Sequence, residues 1–189
     1  TVKTFDQLGV IGLSEWIALP ELGMVGLRAK IDTGASTSSL HASDIQPFQR
    51  NGQRWVRFTA HFGTLVQRGH RCEARVISVK TIKSSNGQTQ TRYLIRTTLA
   101  LGERAWPVDF TLACRKTMRF RVLLGAKALI DGHWLVNPAQ TYVQQQPLMP
   151  TFESPPGTPG KARACRAARG FTPPAAWSKP APSADMRWW

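Results

Sequence analysis

The chain is poor in cysteine, tyrosine and acidic residues. Cys72, Cys114 and Cys165 are its three cysteines among 189 residues. That odd, sparse set does not make a disulfide framework, so a reducing, cytoplasmic setting is expected. No apolar run approaches the roughly 18 to 20 residues of a membrane-spanning helix, so no membrane partner is expected. The opening stretch TVKTFDQLGVIG lacks the charged region followed by an apolar one that marks a secretory signal. Familiar catalytic patterns are also missing: there is no His-Glu-x-x-His, no Gly-x-Ser-x-Gly and no Gly loop that would cradle a phosphate ahead of a helix. The four His are scattered. His70 and Cys72 together make only a two-ligand pattern, more simply read as a surface His beside a partly buried Cys. Neither a metal nor another cofactor is expected.

The shortage of acid has its own consequence. Lys and Arg number 25 against 11 Asp and Glu, a formal net charge of +14. Residues 1–150 hold nineteen of the basic and nine of the acidic side chains, so +10 lies there. Such a surface attracts polyanions, whether nucleic acid, an anionic membrane or an acidic polypeptide. Charge alone does not choose among them.

What the chain does contain divides at Pro147. Residues 147–189 are crowded with Pro, Ala, Gly and Arg, without helical or strand periodicity. A Pro/Ala/Arg-rich, disordered tail is expected there. Residues 1–146 read as a single, largely β domain. Short stretches rich in Val, Ile, Thr and Phe (GVIGLSEWIALP, VGLRAKID, RWVRFTAHF, CEARVISVKTI, TRYLIRTTLAL, WPVDFTLAC, RFRVLLG, HWLVN) alternate with turn signals. Asn51-Gly52 and Asn86-Gly87 are hairpin signals because both residues tolerate positive φ, and LGERAW supplies another tight connection. One short helix is expected at AKALI. Many small strands joined by hairpins imply a barrel or a sandwich. Basic strands bearing Trp55, Phe58, Tyr93 and Trp106 could form a stacking surface for nucleic acid, although alternating aromatics are more often core.

One stretch carries chemistry. In LRAKIDTGASTSSLHA, Asp32 follows an apolar strand and is boxed in by Thr33, Gly34, Ala35 and Ser36. Asp and Gly are ordinary turn residues, so the triplet alone says little. A carboxylate can activate water when a second carboxylate close by shares its proton, one acting as acid and the other as base. No second Asp-Thr/Ser-Gly exists in the chain. A catalytic Asp32 therefore needs its partner from another copy across a two-fold axis.

AKIDTGAS resembles the catalytic strand and turn of retropepsin-like aspartic proteases, and RVLLGAKAL resembles their second signature, in which a Gly after apolar residues opens a short helix. KSSNGQ falls where those proteases place a flap hairpin. More closely, IDTGASTSSLHA, IKSSNGQTQTRYLI, TLACRKTM and LLGAKALIDGHWLVNP are similar to the bacterial RimB-type group, often catalogued as ATP-dependent zinc proteases. The resemblance runs from about Val10 to Val143. It implies an all-β, retropepsin-like (acid-protease) closed barrel with a flap hairpin and one short helix, acting as a homodimer. It implies Asp32 as the catalytic carboxylate, with Thr33, Gly34, Ala35, Ser36 and Gly125 supporting its turn. Lys83, Ser84, Ser85, Asn86, Gly87 and Arg92, on the flap and a basic patch, would bind substrate. Lys80, Arg96, Arg119 and Arg121 extend that patch. Gly125 is followed by Ala126 where the family usually carries Arg, and Lys127 lacks the planar fork of Arg. No ligand set or phosphate loop supports the zinc and ATP of the catalogue label. The implied activity is an aspartic endopeptidase acting on a poly-glutamate segment, the glutamate tail of a ribosomal protein. The alternative is a non-catalytic basic β module that binds RNA or an acidic ribosomal partner.

Overall fold

A computed structural model of the chain describes residues 8–62, 68–83, 89–114 and 118–146. The expected tail, residues 147–189, lies outside the described residues, as does the Asn86-Gly87 turn. Among the described residues ten strands and one α-helix form. They run in the order β1 (Gly9–Ile11), β2 (Ser14–Leu19), β3 (Met24–Asp32), β4 (Ser38–Arg50), β5 (Gln53–Phe62), β6 (Arg68–Lys83), β7 (Thr89–Leu101), β8 (Arg104–Ala113), β9 (Val122–Gly125), α1 (Ala126–Asp131) and β10 (Trp134–Val136).

Alternation of apolar and polar residues explains most of these strands. In β8, Trp106, Val108, Phe110 and Leu112 point inward while the residues between them are half-buried or exposed. This is the period of two that a strand with one covered face requires. Asn51 and Gly52 take φ of 51° and 71°, and Arg50 pairs with Gln53 across them. The first Asn-Gly signal therefore builds a two-residue hairpin, as expected.

β4 is not announced by the sequence. Its thirteen residues, SSLHASDIQPFQR, mix polar side chains with a Pro, and Asp44 takes φ 52° where the register shifts between Ser43 and Gln46. Only Ser38 to Ala42 run mostly buried. Partners in the sheet, not intrinsic preference, hold the rest of this strand.

What forms is one eight-stranded sheet in the order β2-β3-β9-β4-β5-β6-β7-β8, which returns on itself through two further pairings, β2–β7 and β4–β8. The chain is thus mostly β with one short helix. Inside the sheet lie Ile17, Leu27, Leu40, Phe58, Ile95 and Phe110, among others, all at 2% exposure or less. Each contributes about 1.5 to 3 kcal/mol by burial.

The first and last described strands are tied together beside this sheet. β1 and β10 pair in parallel, Gly9 opposite Trp134 and Ile11 opposite Val136. Glu15 is fully buried, and its carboxylate accepts hydrogen bonds from the backbone N–H groups of Gly12 (2.7 Å), Val143 (2.9 Å) and Gln144 (3.1 Å). Three amide donors replace the water the carboxylate gave up. Glu15 thereby fastens the segment after β10 onto the start of β2.

Candidate active site

The candidate site stands where three strands meet. β3 and β4 follow each other in sequence but are not neighbours, because β9 lies between them. β9 pairs with β3 in parallel, setting Asp32 directly opposite Gly125, and with β4 antiparallel through Ser39–Leu123 and Leu40–Val122. Residues 33–37 must therefore cross over the end of β9. They are held there by main-chain bonds: Ala126 N donates to the Ala35 carbonyl (2.7 Å) and Lys127 N to the Ser36 carbonyl (3.3 Å). Ser38, buried at the start of β4, accepts a hydrogen bond at Oγ from Gly125 N (3.1 Å).

Close packing of these backbones decides why position 125 is glycine. A Cβ there would stand 2.7 Å from the Ala35 oxygen and 2.7 Å from the Thr37 carbonyl carbon. Both are backbone atoms that a side-chain rotation cannot remove. Glycine lets one main chain approach another. Ala126 opens α1 directly behind the turn.

Asp32 itself is half-buried at the C-terminal end of β3. Its Oδ1 accepts hydrogen bonds from Gly34 N (3.1 Å) and Ala35 N (3.2 Å), while Ala35 N also lies 3.3 Å from the Asp32 carbonyl. One carboxylate oxygen is thus oriented by the turn that follows it. Among the described residues Oδ2 makes no hydrogen bond. Thr33, Gly34 and Ser36 are exposed. A rigid, half-buried carboxylate with one oxygen held and one open can take a proton from, or give one to, a group placed before it.

The other expected residues are only partly accounted for. Lys83 closes β6, but its side chain, like Ser84, Ser85, Asn86 and Gly87, falls outside what is described. Arg92 lies on β7 opposite Lys80 and donates to Gln90 Oε1 at 3.3 to 3.4 Å. Arg96 is committed to Asp109, with two hydrogen bonds of 2.6 and 3.0 Å, and this partner holds its guanidinium above its ordinary pKa. Next to the turn is a cavity of about 140 Å³ whose lining includes Thr37, Ser38, Lys80, Arg96, Asp109 and Lys127. Lys80 and Lys127 are exposed and make no ion pair among the described residues. Thr37 and Ser38 join the site only in the fold. The Ser/Thr run STSS was their signal, but only the crossing of β9 gives it meaning.

Of the four aromatics considered for stacking, Phe58 and Trp106 are core, at 1% and 4% exposure. Trp55 and Tyr93 remain half-buried. Cys72 is fully buried, with its thiol directed at the Leu22 carbonyl (3.7 Å), and so is more enclosed than expected.

A family model described as RimB-like, retropepsin-like aspartic endopeptidase RimB, matches residues 10–147. The chain belongs to the RimB-like family. Curated relatives of this RimB-like chain carry another name. A protein of Desulfotalea psychrophila named probable alpha-L-glutamate ligase is 44% identical over 131 residues, covering 69% of this chain and 28% of that protein. One of Shewanella pealeana with the same name is 41% identical over 141 residues, covering 72% and 30%. The RimB-like chain therefore spans less than a third of the length of these relatives. Among solved structures, a Legionella pneumophila protein of unknown function is similar with a TM-score of 0.62 and 28% identity, over 72% of this chain and 98% of that one. Among the described residues no helix is long and apolar enough to cross a membrane.

Proposed function

We propose that the chain is an aspartic endopeptidase whose active site is completed by a second copy and whose substrate is an acidic, glutamate-rich peptide. The observation that carries this reading is the placement of Asp32: held opposite Gly125, one oxygen fixed by Gly34 and Ala35 amides, the other open. Two such carboxylates across a two-fold axis cannot easily ionise together, so one keeps a proton. The ionised Asp32 takes a proton from water as its oxygen attacks the peptide carbonyl. The protonated Asp32 hydrogen-bonds the carbonyl oxygen and protonates it as the tetrahedral species forms. Return of a proton to the leaving nitrogen then breaks the C–N bond.

Three features support the dimer and the substrate. Val10, Leu13, Leu135, Tyr142 and Val143 are 38 to 44% exposed apolar side chains on or beside the terminal strands. The Leu13 carbonyl accepts Ile31 N, immediately before Asp32, so this apolar surface begins close to the turn. Lys80 and Lys127 flank the adjoining cavity and make no ion pair among the described residues, which suits them to meet a glutamate carboxylate. Relatives named as glutamate ligases also contain this unit as less than a third of their length, which suits a hydrolase that acts on the polymer such a ligase would make. The glutamate tail of a ribosomal protein fits this description.

The ligase names also support a second reading, an accessory module that binds an acidic chain without cutting it. One experiment separates the two. Wild type and Asp32→Asn are incubated with glutamate-rich and glutamine-rich peptides of equal length, and both cleavage and binding are measured. The expected result is cleavage of the glutamate peptide alone, lost in Asp32→Asn by about a thousandfold or more with binding retained. Binding without cleavage by the wild type establishes the accessory reading. Equal cleavage of both peptides rejects the acidic substrate.

A further inference from the structure

We infer that the outer face of the β4–β5–β6 sheet, on the hairpin that carries Asn51-Gly52, is a binding surface for single-stranded nucleic acid. Strand register places Phe48, Trp55 and Arg75 in one row across this face, and Gln46, Arg57 and Glu73 in the next. Thr59 and Arg71 form a further row, and Arg50 lies opposite Gln53 beside the turn. The opposite face of β5, through Val56, Phe58 and Ala60, is buried in the core. The aromatic and basic side chains therefore stand on the side that the core leaves uncovered.

Among the described residues of these rows, four guanidinium groups, Arg50, Arg57, Arg71 and Arg75, stand with the Glu73 carboxylate. Glu73 is 5% exposed and receives Arg50 at 2.6 Å and Arg57 at 2.8 and 2.9 Å. Held in this way, the Arg50 guanidinium lies 4.7 Å from the Trp55 ring centre and 5.2 Å from that of Phe48, and Arg57 lies 5.2 Å from Phe48. The result is a layered set of flat groups fixed in place before any ligand arrives. Arg71 and Arg75 are exposed and form no ion pair among the described residues. Four residues apart on one strand, they stand roughly 13 Å from each other.

Nucleic acid fits these groups better than an acidic peptide does. All four cations are Arg, whose planar group both stacks on rings and forks onto phosphate, where Lys offers only a point charge. Bases have flat faces to continue the Trp55–Arg50 stack, and glutamate side chains do not. An extended peptide gains most from an open strand edge, yet β5 is hydrogen-bonded on both sides. A sheet face carrying aromatics is how single strands are bound by stacking, with phosphates on flanking cations. Paired bases hide their faces from such a platform, so a single strand is the form selected.

The test is fluorescence anisotropy of the full chain with a labelled twelve-nucleotide single-stranded RNA, at several salt concentrations. Arg71→Glu with Arg75→Glu should weaken binding at least tenfold and flatten its salt dependence. Trp55→Ala, checked for an intact melting transition, should weaken it roughly tenfold with the salt slope unchanged. Arg28→Glu with Lys30→Glu, an equal charge change elsewhere, should have less than a threefold effect. An equal loss from this second pair would reduce the surface to general charge attraction and overturn the proposal. So would equal affinity for a duplex of the same length. If the Arg71/Arg75 reversal weakens an oligo-glutamate peptide but not the RNA, the face binds acidic peptide instead. None of these readouts involves Asp32, so the peptidase reading stands or falls separately.

Discussion

At the scale of single residues, the site depends on atoms that touch rather than on reactive groups alone. Gly125 has no side chain, yet it lets the turn after Asp32 cross β9 with backbone atoms at van der Waals distance. Gly125→Ala should push the Ala35 and Thr37 backbone aside. A loss of about 1 to 3 kcal/mol in unfolding free energy is expected, the usual cost of overpacking a filled space. Peptidase activity should fall further than stability does, because the displaced turn carries the amides that hold Asp32 Oδ1. Denaturant unfolding and peptide cleavage on the same preparation check this, and unchanged activity at reduced stability would detach Gly125 from the site. Asp32 and Gly125 could each be picked out of the sequence through the motifs around them. Glu15 could not. A glutamate in SEWIAL looks like a solvated strand position, and only the approach of Val143 and Gln144, about 130 residues later, makes it a buried acceptor of three amides.

At the scale of elements, the β4–β5–β6 sheet contains the clearest electrostatic device. Burial alone would raise the Glu73 pKa, but hydrogen bonds and charge from Arg50 and Arg57 outweigh it and hold the carboxyl below its ordinary value. A carboxylate whose pKa is depressed on folding stabilises the fold above its unfolded pKa of about 4.3. That contribution disappears as pH falls through the lower folded value. Glu73→Gln should therefore lower the melting temperature at neutral pH and leave less difference between the two proteins in strong acid. Both guanidinium groups are about 40% exposed, so the neutral-pH loss should be about 1 to 2 kcal/mol, below that of a fully buried pair. Thermal melts of both proteins from pH 2 to pH 7 test the sign, and a gap that widens in acid would contradict it. The same scale shows where sequence pattern works and where it fails. β5 and β8 alternate cleanly and are readable. β4 was not, because its strand state comes from β5, β8 and β9 around it.

At the scale of the whole molecule, the peptidase reading needs two chains for one site. Activity per chain should then fall with dilution below the dimer dissociation constant, and the sedimentation coefficient should fall in parallel. Leu13→Glu, placing a charge among the exposed apolar residues next to β2 and β10, should shift both curves to higher protein concentration by about tenfold or more. Activity that is linear in concentration through the range where the mass halves would show that one chain suffices. Salt acts at this scale too. A surface with this excess of Lys and Arg gains affinity for an acidic peptide mainly through unscreened charge, so cleavage of a glutamate-rich peptide should weaken steeply with added salt.

The sequence by itself determined the class of fold, the Asn51-Gly52 hairpin, the helix at AKALI and the turn at Asp32. Each of these is written in residues close together in the chain. Local alternation, positive-φ residues and short motifs act over a few residues, and a reader of sequence can see that far. The tertiary structure decided the rest: which strand lies between β3 and β4, why Gly125 must lack a Cβ, what Glu15 and Glu73 bind, and which aromatics are core. Those outcomes depend on pairs of residues 16 to 129 positions apart. Such pairs meet only when the sheet has closed on itself and water has been expelled from between them.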